Sequence, residues 1–222
     1  MRTIRITGTG SALPGRIVTN KELEQMVETS DEWIRERTGI AERHVSVGET
    51  VVTLASEAAR KALEQAGKRA EEIDLILVAT CSPEQYLPCC ACQVQADIGA
   101  VNALAFDVNA ACSGFLFALN TADAYLRMGL AENALIIGSE VLSKLVDWTD
   151  RGSCILFGDG AGAVVVERCK AESRAVEEKQ IPAAGILGRA LHSDGTGGGV
   201  LQCDARELTT PYARTSAVKT DQ

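Results

Sequence analysis

Apolar strands separated by helices run from residue 2 to Glu167, and no other feature narrows the fold of this chain as far. Ile73–Thr80 reads as a continuous apolar strand, with further strands at 2–8, 104–109, Ala134–Gly138 and Val164–Glu167. Between them the spacing predicts helices over 20–28, capped by Asn20, and over 30–37, 50–66, 89–98 and 112–128; Gly67 and Gly129 end the third and the last. Apolar strands joined by helices predict an α/β fold with a mixed, mostly parallel sheet covered by helices on both faces. Gly158–Ala163 is expected to turn the chain into its Val164–Glu167 strand. From Ala171 a charged connector (Glu172, Arg174, Glu177, Glu178, Lys179) leads to an expected strand at Ala184–His192, a glycine-rich loop and a tail without period. Residues 1–170 therefore read as one structural half, and 171–222 as a connector and the beginning of another.

Within that pattern the run Leu104-Ala-Phe-Asp-Val-Asn-Ala-Ala-Cys112-Ser-Gly-Phe-Leu-Phe-Ala-Leu119 reads as a strand, a tight elbow and a buried helix with a thiol at the elbow. The first N–H groups of a helix have no intrahelical partner and carry partial positive charge, which favours the reactive thiolate. Phe115, Leu119, Ala122 and Leu126 form one stripe, and Leu116 and Phe117 make the first turns apolar nearly all round. Gly114 suits a first turn approached closely by another backbone or by substrate. Position alone leaves two readings of Cys112 open, a nucleophile and a small buried hydrophobe.

A formal charge of −8, from 22 basic and 30 acidic residues with the basic ones scattered, disfavours nucleic-acid binding. No apolar run approaches the roughly 18 residues of a membrane span, and the N-terminus lacks the apolar core of a signal peptide, so the expected location is the cytoplasm. The eight cysteines are then expected as free thiols. Cys89 and Cys92 have C-x-x-C spacing at a helix start, with Cys81 and Cys90 nearby, which suggests a redox dithiol or half of a metal site. A second such pair is absent and the histidines, His44 and His192, are remote, so no metal is expected. Gly8-Thr-Gly10 lacks the third glycine of a dinucleotide fingerprint, and Gly195–Gly199 lacks the Lys-Ser/Thr of a phosphate loop.

Several segments together resemble β-ketoacyl-acyl-carrier-protein synthase III, a condensing enzyme of thiolase-like fold. They are Gly8-Thr-Gly-Ser-Ala-Leu-Pro14, Thr29-Ser-Asp-Glu-Trp-Ile-Arg-Glu-Arg-Thr-Gly-Ile40, Ala91-Cys-Gln93, Phe106–Phe115, Asp147-Trp-Thr-Asp-Arg-Gly152 and Phe157-Gly-Asp-Gly-Ala-Gly-Ala163. The resemblance implies that Cys112 takes the acyl group of acetyl-CoA or another short acyl-CoA, with its own N–H as an oxyanion donor, and passes it to malonyl-acyl-carrier protein in a decarboxylating condensation. It implies no cofactor beyond the acyl-CoA substrate. From the residues themselves, Thr29 and Glu32 fit a capping box that places Trp33 and Arg37 one turn apart, an indole beside a guanidinium suited to adenine and phosphates. In the family, the residues matching Trp33 and Arg151 sandwich the adenine, with those matching Thr29 and Arg37 close by.

Family members consist of two similar halves, and the resemblance covers the first half and the start of the second. The histidine and asparagine that drive decarboxylation belong to the second half and have no match here, so this chain is expected to be a fragment, a split subunit or a truncated product lacking full activity. The implied assembly is a homodimer or a pairing with a chain that supplies the second half. Leu87 stands where many members carry an aromatic that closes the acyl pocket across the dimer interface, and a smaller side chain there suits a longer or branched primer. Two other readings stay open: a non-catalytic partner subunit, and a redox or metal-binding protein acting through Cys89 and Cys92.

Overall fold

A computed structural model describes residues 2–170, 173–176, 179–182 and 185–203. The elements in chain order are β1 (Arg2–Ala12), β2 (Arg16–Thr19), α1 (Asn20–Leu23), α2 (Asp31–Thr38), β3 (Glu42–Val45), α3 (Val51–Ala66), β4 (Leu75–Ala79), α4 (Cys90–Ile98), β5 (Leu104–Val108), α5 (Gly114–Met128), β6 (Asn133–Val141), α6 (Arg151–Cys154), β7 (Asp159–Lys170), β8 (Ser173–Val176) and β9 (Lys179–Pro182). Two units are separable. The first ends at Leu187; the second begins at Gly188, and its described part holds a 3₁₀ turn over Gly195–Val200 that Asp194 caps.

The main sheet has the order β1-β7-β6-β4-β5. β4 pairs in parallel with β5 and β6, and β7 runs antiparallel to both β6 and β1. Four strands therefore run one way and β7 the other, a mixed sheet of the expected α/β class. The alternation of side chains along β4 explains its unbroken apolar sequence. Ile76 and Val78 enter the core under α3 and α4, while Leu75, Leu77 and Ala79 enter the core under α5. Both faces are covered, so neither leaves room for a polar residue.

Helix α3 follows its sequence closely. Thr50 caps it, accepting from the Thr53 N–H at 3.1 Å, and Gly67 ends it at φ 65°. Gly8 and Gly10 let β1 lie directly under this helix: a Cβ at either would overlap the carbonyl of Ala62 or Ala58.

Some elements depart from expectation. The first predicted helix shrinks to α1, with Thr19 rather than Asn20 as its N-cap. Asn20 is instead buried, donating to Asp31 and to the Ile40 carbonyl and accepting from Arg43. The Gly158–Ala163 run is strand rather than turn from Asp159 on, because its small residues pair with β6 and β1 at once. Of the strand expected at Ala184–His192, residues 185–192 have no regular structure: Gly185 sits at φ 114°, and only Ile186 reaches the core below α5. Ala184 and the tail beyond Cys203 lie outside the described residues. Helix α5 is apolar nearly all round, as read, but only one face is covered: Ala118, Ala122 and Leu126 are buried while Leu116 is 53% exposed.

Replacing Gly10 by valine forces β1 away from α3. Overpacking of this kind costs about 1–3 kcal/mol, and a chain of this size loses about 2–4 °C per kcal/mol. A melt followed by circular dichroism is expected to show that loss, and an unchanged midpoint would mean that β1 does not need the close approach.

Candidate active site

The register of β4 with its neighbours sets the site. Val108 at the end of β5 and Gly138 in β6 both lie opposite Ala79, the last residue of β4. The chain leaves β5 through Asn109 and Ala110, turns in a 3₁₀ step over Ala111–Ser113 and enters α5 at Gly114. Ala111 holds φ 45°, a conformation that costs a non-glycine residue on the order of 1–3 kcal/mol. The turn is braced on both sides: the Ala111 amide donates to the Asn109 side chain at 3.4 Å and the Ser113 amide to the Ala110 carbonyl at 3.1 Å. Cys112, between them, is exposed. Gly114 has a structural reason, since a Cβ there would stand 3.1 Å from the Ala79 methyl. Its absence lets α5 start directly over the end of β4, which is the close backbone approach the sequence suggests.

Glu140, near the end of β6, organises the facing loop. It accepts from the Cys81 amide at 2.8 Å and the Thr80 hydroxyl at 3.1 Å, and also from the Ser82 hydroxyl. Cys81 is thereby fixed beside the elbow. Burial, then the Glu140 carboxylate, then the nearby Cys112 push its thiol up to about 11. Asp107, in β5, does similar work for the next helix: its carboxylate accepts from the Cys90 and Ala91 amides at 2.9 and 2.7 Å and caps α4 from outside. Neither acid features in the sequence reading, although a carboxylate inside an otherwise apolar strand is a legible signal.

A second group of residues meets on the surface. Trp33 lies on α2, with Arg37 one turn later; the Arg37 guanidinium carbon is 4.2 Å from the centre of the indole. Arg151 arrives from α6 and stands 4.8 Å from the same ring while donating to the Glu28 carbonyl at 3.0 Å. The ring is half-buried against Leu23, Ile34, Cys154 and Ile155, so one aromatic side chain serves both as packing and as a platform for two cations. The α6 segment is held from beneath by buried Arg43, which donates to the Val18 carbonyl, the Asn20 side chain and the Ile155 carbonyl. Burial lowers the pKa of that guanidinium.

One sequence expectation is corrected here. The N-cap of α2 is Ser30, whose hydroxyl accepts from the Trp33 amide at 3.1 Å, and not Thr29 in a box with Glu32. Thr29 lies one residue outside the helix, and its buried hydroxyl has no hydrogen-bond partner. Leu87 is 85% exposed on the loop before α4. His44 donates from Nδ1 to the Pro14 carbonyl, 2.6 Å away. Among the described residues no group of three or more His, Cys, Asp or Glu is placed to hold a metal ion, and no helix is long and apolar enough to cross a membrane.

Residues 106–195 match the family model of 3-oxoacyl-[acyl-carrier-protein] synthase III. A β-ketoacyl-[acyl-carrier-protein] synthase III of Clostridium acetobutylicum is 49% identical over 213 residues, 96% of this chain and 62% of its own length. One from Novosphingobium aromaticivorans is 53% identical over 206 residues, 92% of this chain and 62% of its own. The crystal structure of 3-oxoacyl-[acyl-carrier-protein] synthase III from Aquifex aeolicus superposes with a TM-score of 0.75 at 51% identity, over 77% of this chain and 55% of that one. The chain thus spans about 62% of the length of these curated relatives.

The eight thiols are expected to separate by reactivity. At limiting iodoacetamide near neutral pH, Cys112, exposed at the elbow, is alkylated before the partly buried Cys89, Cys92 and Cys169. Cys81 and Cys90 stay unreacted, because their protons leave only toward about 11 and about 12. Raising the pH through about 11 brings Cys81 into the labelled set. Peptide mass spectrometry reads the order, and labelling at Cys89 or Cys92 ahead of Cys112 would remove the case for a nucleophile at the elbow.

Proposed function

We propose, on the premise that this chain belongs to the β-ketoacyl-[acyl-carrier-protein] synthase III family, that Cys112 is the acyl-accepting nucleophile of a condensing enzyme that initiates fatty-acid synthesis. The observation that carries this reading is the exposed thiol on a braced, positive-φ turn, at the carboxyl ends of parallel strands. Ligands in open α/β sheets bind outside those ends.

In this reading the Cys112 thiolate attacks the carbonyl carbon of acetyl-CoA or another short acyl-CoA. The oxyanion that forms takes a hydrogen bond from the Cys112 N–H, whose neighbouring amides are already engaged. When the carbonyl re-forms, the C–S bond to coenzyme A breaks and the thiolate leaves with a proton from solvent, so the acyl group stays on sulfur. With the histidine and asparagine that the family carries in its second half, malonyl-acyl-carrier protein then loses CO₂, and the resulting carbanion attacks the acyl-cysteine to give a 3-oxoacyl-carrier protein and free Cys112. The reaction needs no cofactor beyond the acyl-CoA.

The surface group around Trp33 fits the coenzyme A end of that substrate. Adenine stacks on the indole, Arg37 and Arg151 meet the phosphates and the far face of the ring, and Thr29 lies close by at the start of α2. Two van der Waals layers need roughly 7–8 Å between Trp33 and a cation on the far side. Arg151, now 4.8 Å from the ring, must therefore swing outward as adenine enters. Leu87 is read as part of the acyl pocket, completed by a second copy or by a partner chain. Residues 1–170 serve as a thiolase-like half, 171–222 as the connector and start of a second, and the setting is cytoplasmic.

Two experiments test this. Incubation with radiolabelled acetyl-CoA is expected to place label on Cys112 and none on Cys112→Ser; label spread over other cysteines, or absent from a folded sample, contradicts the assignment. Arg151→Ala is expected to weaken coenzyme A binding with no change in the melt, because the side chain is exposed. Trp33→Ala should weaken it more. Stacking of a base on an aromatic side chain is worth about 1–3 kcal/mol, so calorimetry should show Kd rising roughly fivefold or more; unchanged affinity would return Trp33 to a packing role alone.

A further inference from the structure

Cys89 and Cys92 take no part in the proposed acyl transfer, yet they occupy two positions that a helix start brings together. Cys89 is the N-cap of α4, extended at φ −66° and ψ 157°, and Cys92 is the third helical residue. Side chains at the N-cap and at that residue ordinarily fold back toward each other's amides. Here the N-cap makes no side-chain hydrogen bond, and Asp107 takes the Cys90 and Ala91 amides from outside. Both thiols thus stand at a helix start whose first amides are already taken. The Cys92 thiol donates to the Ala105 carbonyl at 3.6 Å, and the neighbouring Cys89 thiol is the first cause of its raised pKa. Both are partly exposed, whereas Cys90 between them is buried in the core below α3.

We propose that Cys89 and Cys92 form a reversible dithiol–disulfide couple whose reaction partner is a small disulfide. Three residues of helix carry the Cα about 5 Å, within the roughly 4.4–6.8 Å that a disulfide spans between its Cα atoms. The Cys89 thiolate attacks one sulfur of the small disulfide, whose S–S bond breaks; one small thiolate leaves and takes a proton, and Cys89 is left in a mixed disulfide. Cys92 then gives its proton to solvent and attacks the Cys89 sulfur, and the second small thiol departs. The two protein thiols lose two electrons and the small disulfide gains them. Asp107 keeps the α4 amides capped throughout, so ring closure does not depend on unwinding the helix start. The raised pKa of Cys92 makes its attack the slow step near neutral pH and faster as pH rises.

The test uses the full chain equilibrated with glutathione and glutathione disulfide, quenched in acid, alkylated and mapped by mass spectrometry without reduction. One internal link, Cys89 to Cys92, is expected, formed faster at higher pH and reversed by excess glutathione. Cys92→Ser should halt at a persistent glutathione adduct on Cys89, and Cys90→Ser should leave the link unchanged. Because the couple is independent of acyl transfer, Cys112→Ser should form it as readily, so failure of one proposal is read separately from failure of the other. The proposal is overturned if the folded wild-type chain forms no Cys89–Cys92 link at any glutathione ratio, or if Cys89 bonds to Cys81 or Cys90 instead. It is equally overturned if wild type and Cys92→Ser accumulate the same adduct.

Discussion

β4 pairs in parallel with β5 on one side and β6 on the other, in registers that bring Val108 and Gly138 level with Ala79, and the chemistry of this chain follows from that alignment. Three chains emerge together at one edge of the sheet. The segment after β4 carries Cys81, the segment after β5 carries Cys112, and β6 continues two residues past Gly138 to place Glu140 against the Cys81 amide. Slipping β5 by a single residue would turn its side chains to the opposite face and take Asp107 away from the α4 amides it caps. Burial of β4 on both faces prevents that slip, so the packing of an interior strand fixes the position of a reactive sulfur some distance along the chain.

The helices follow as means of keeping that strand dry. Small residues carry much of this: Gly8 and Gly10 bring β1 against α3, and Gly114 brings α5 against Ala79. Close approach buries apolar area without demanding large side chains, which is why the two cores hold so many alanines. The third core, around Ile34 and Ile155, has another task, for it seats Trp33 with one edge packed and a face left for cations.

Much of this was legible in the residues. Continuous apolar runs marked β4, β5 and β6, glycines marked the ends of α3 and α5, and an apolar strand running into an apolar helix marked Cys112. Helical spacing alone paired Trp33 with Arg37. What could not be read depends on contacts between distant segments. The short strands β2 and β3 pair with each other across 22 intervening residues, from Thr19 to Glu42, and their polar residues carry no strand period. Asn20 has the chemistry of a cap, but Arg43 and Asp31 engage it first. Arg151 meets Trp33 across a gap of more than a hundred residues, on a segment that Arg43 bonds at the Ile155 carbonyl and that Arg151 itself ties to Glu28. The expected strand after Ala184 failed for a local reason, a glycine in the left-handed region that apolar neighbours cannot outvote.

Ala111 carries a consequence of a different kind. Glycine would adopt φ 45° without strain, and would also wander among many other conformations. Alanine tolerates fewer, so the sulfur on the next residue sweeps a smaller volume. What the turn loses in conformational energy it recovers as a narrower distribution of thiol positions, and a bound thioester then meets a nucleophile whose approach geometry is already restricted. The elbow thus trades a more comfortable backbone for positional certainty at a single atom.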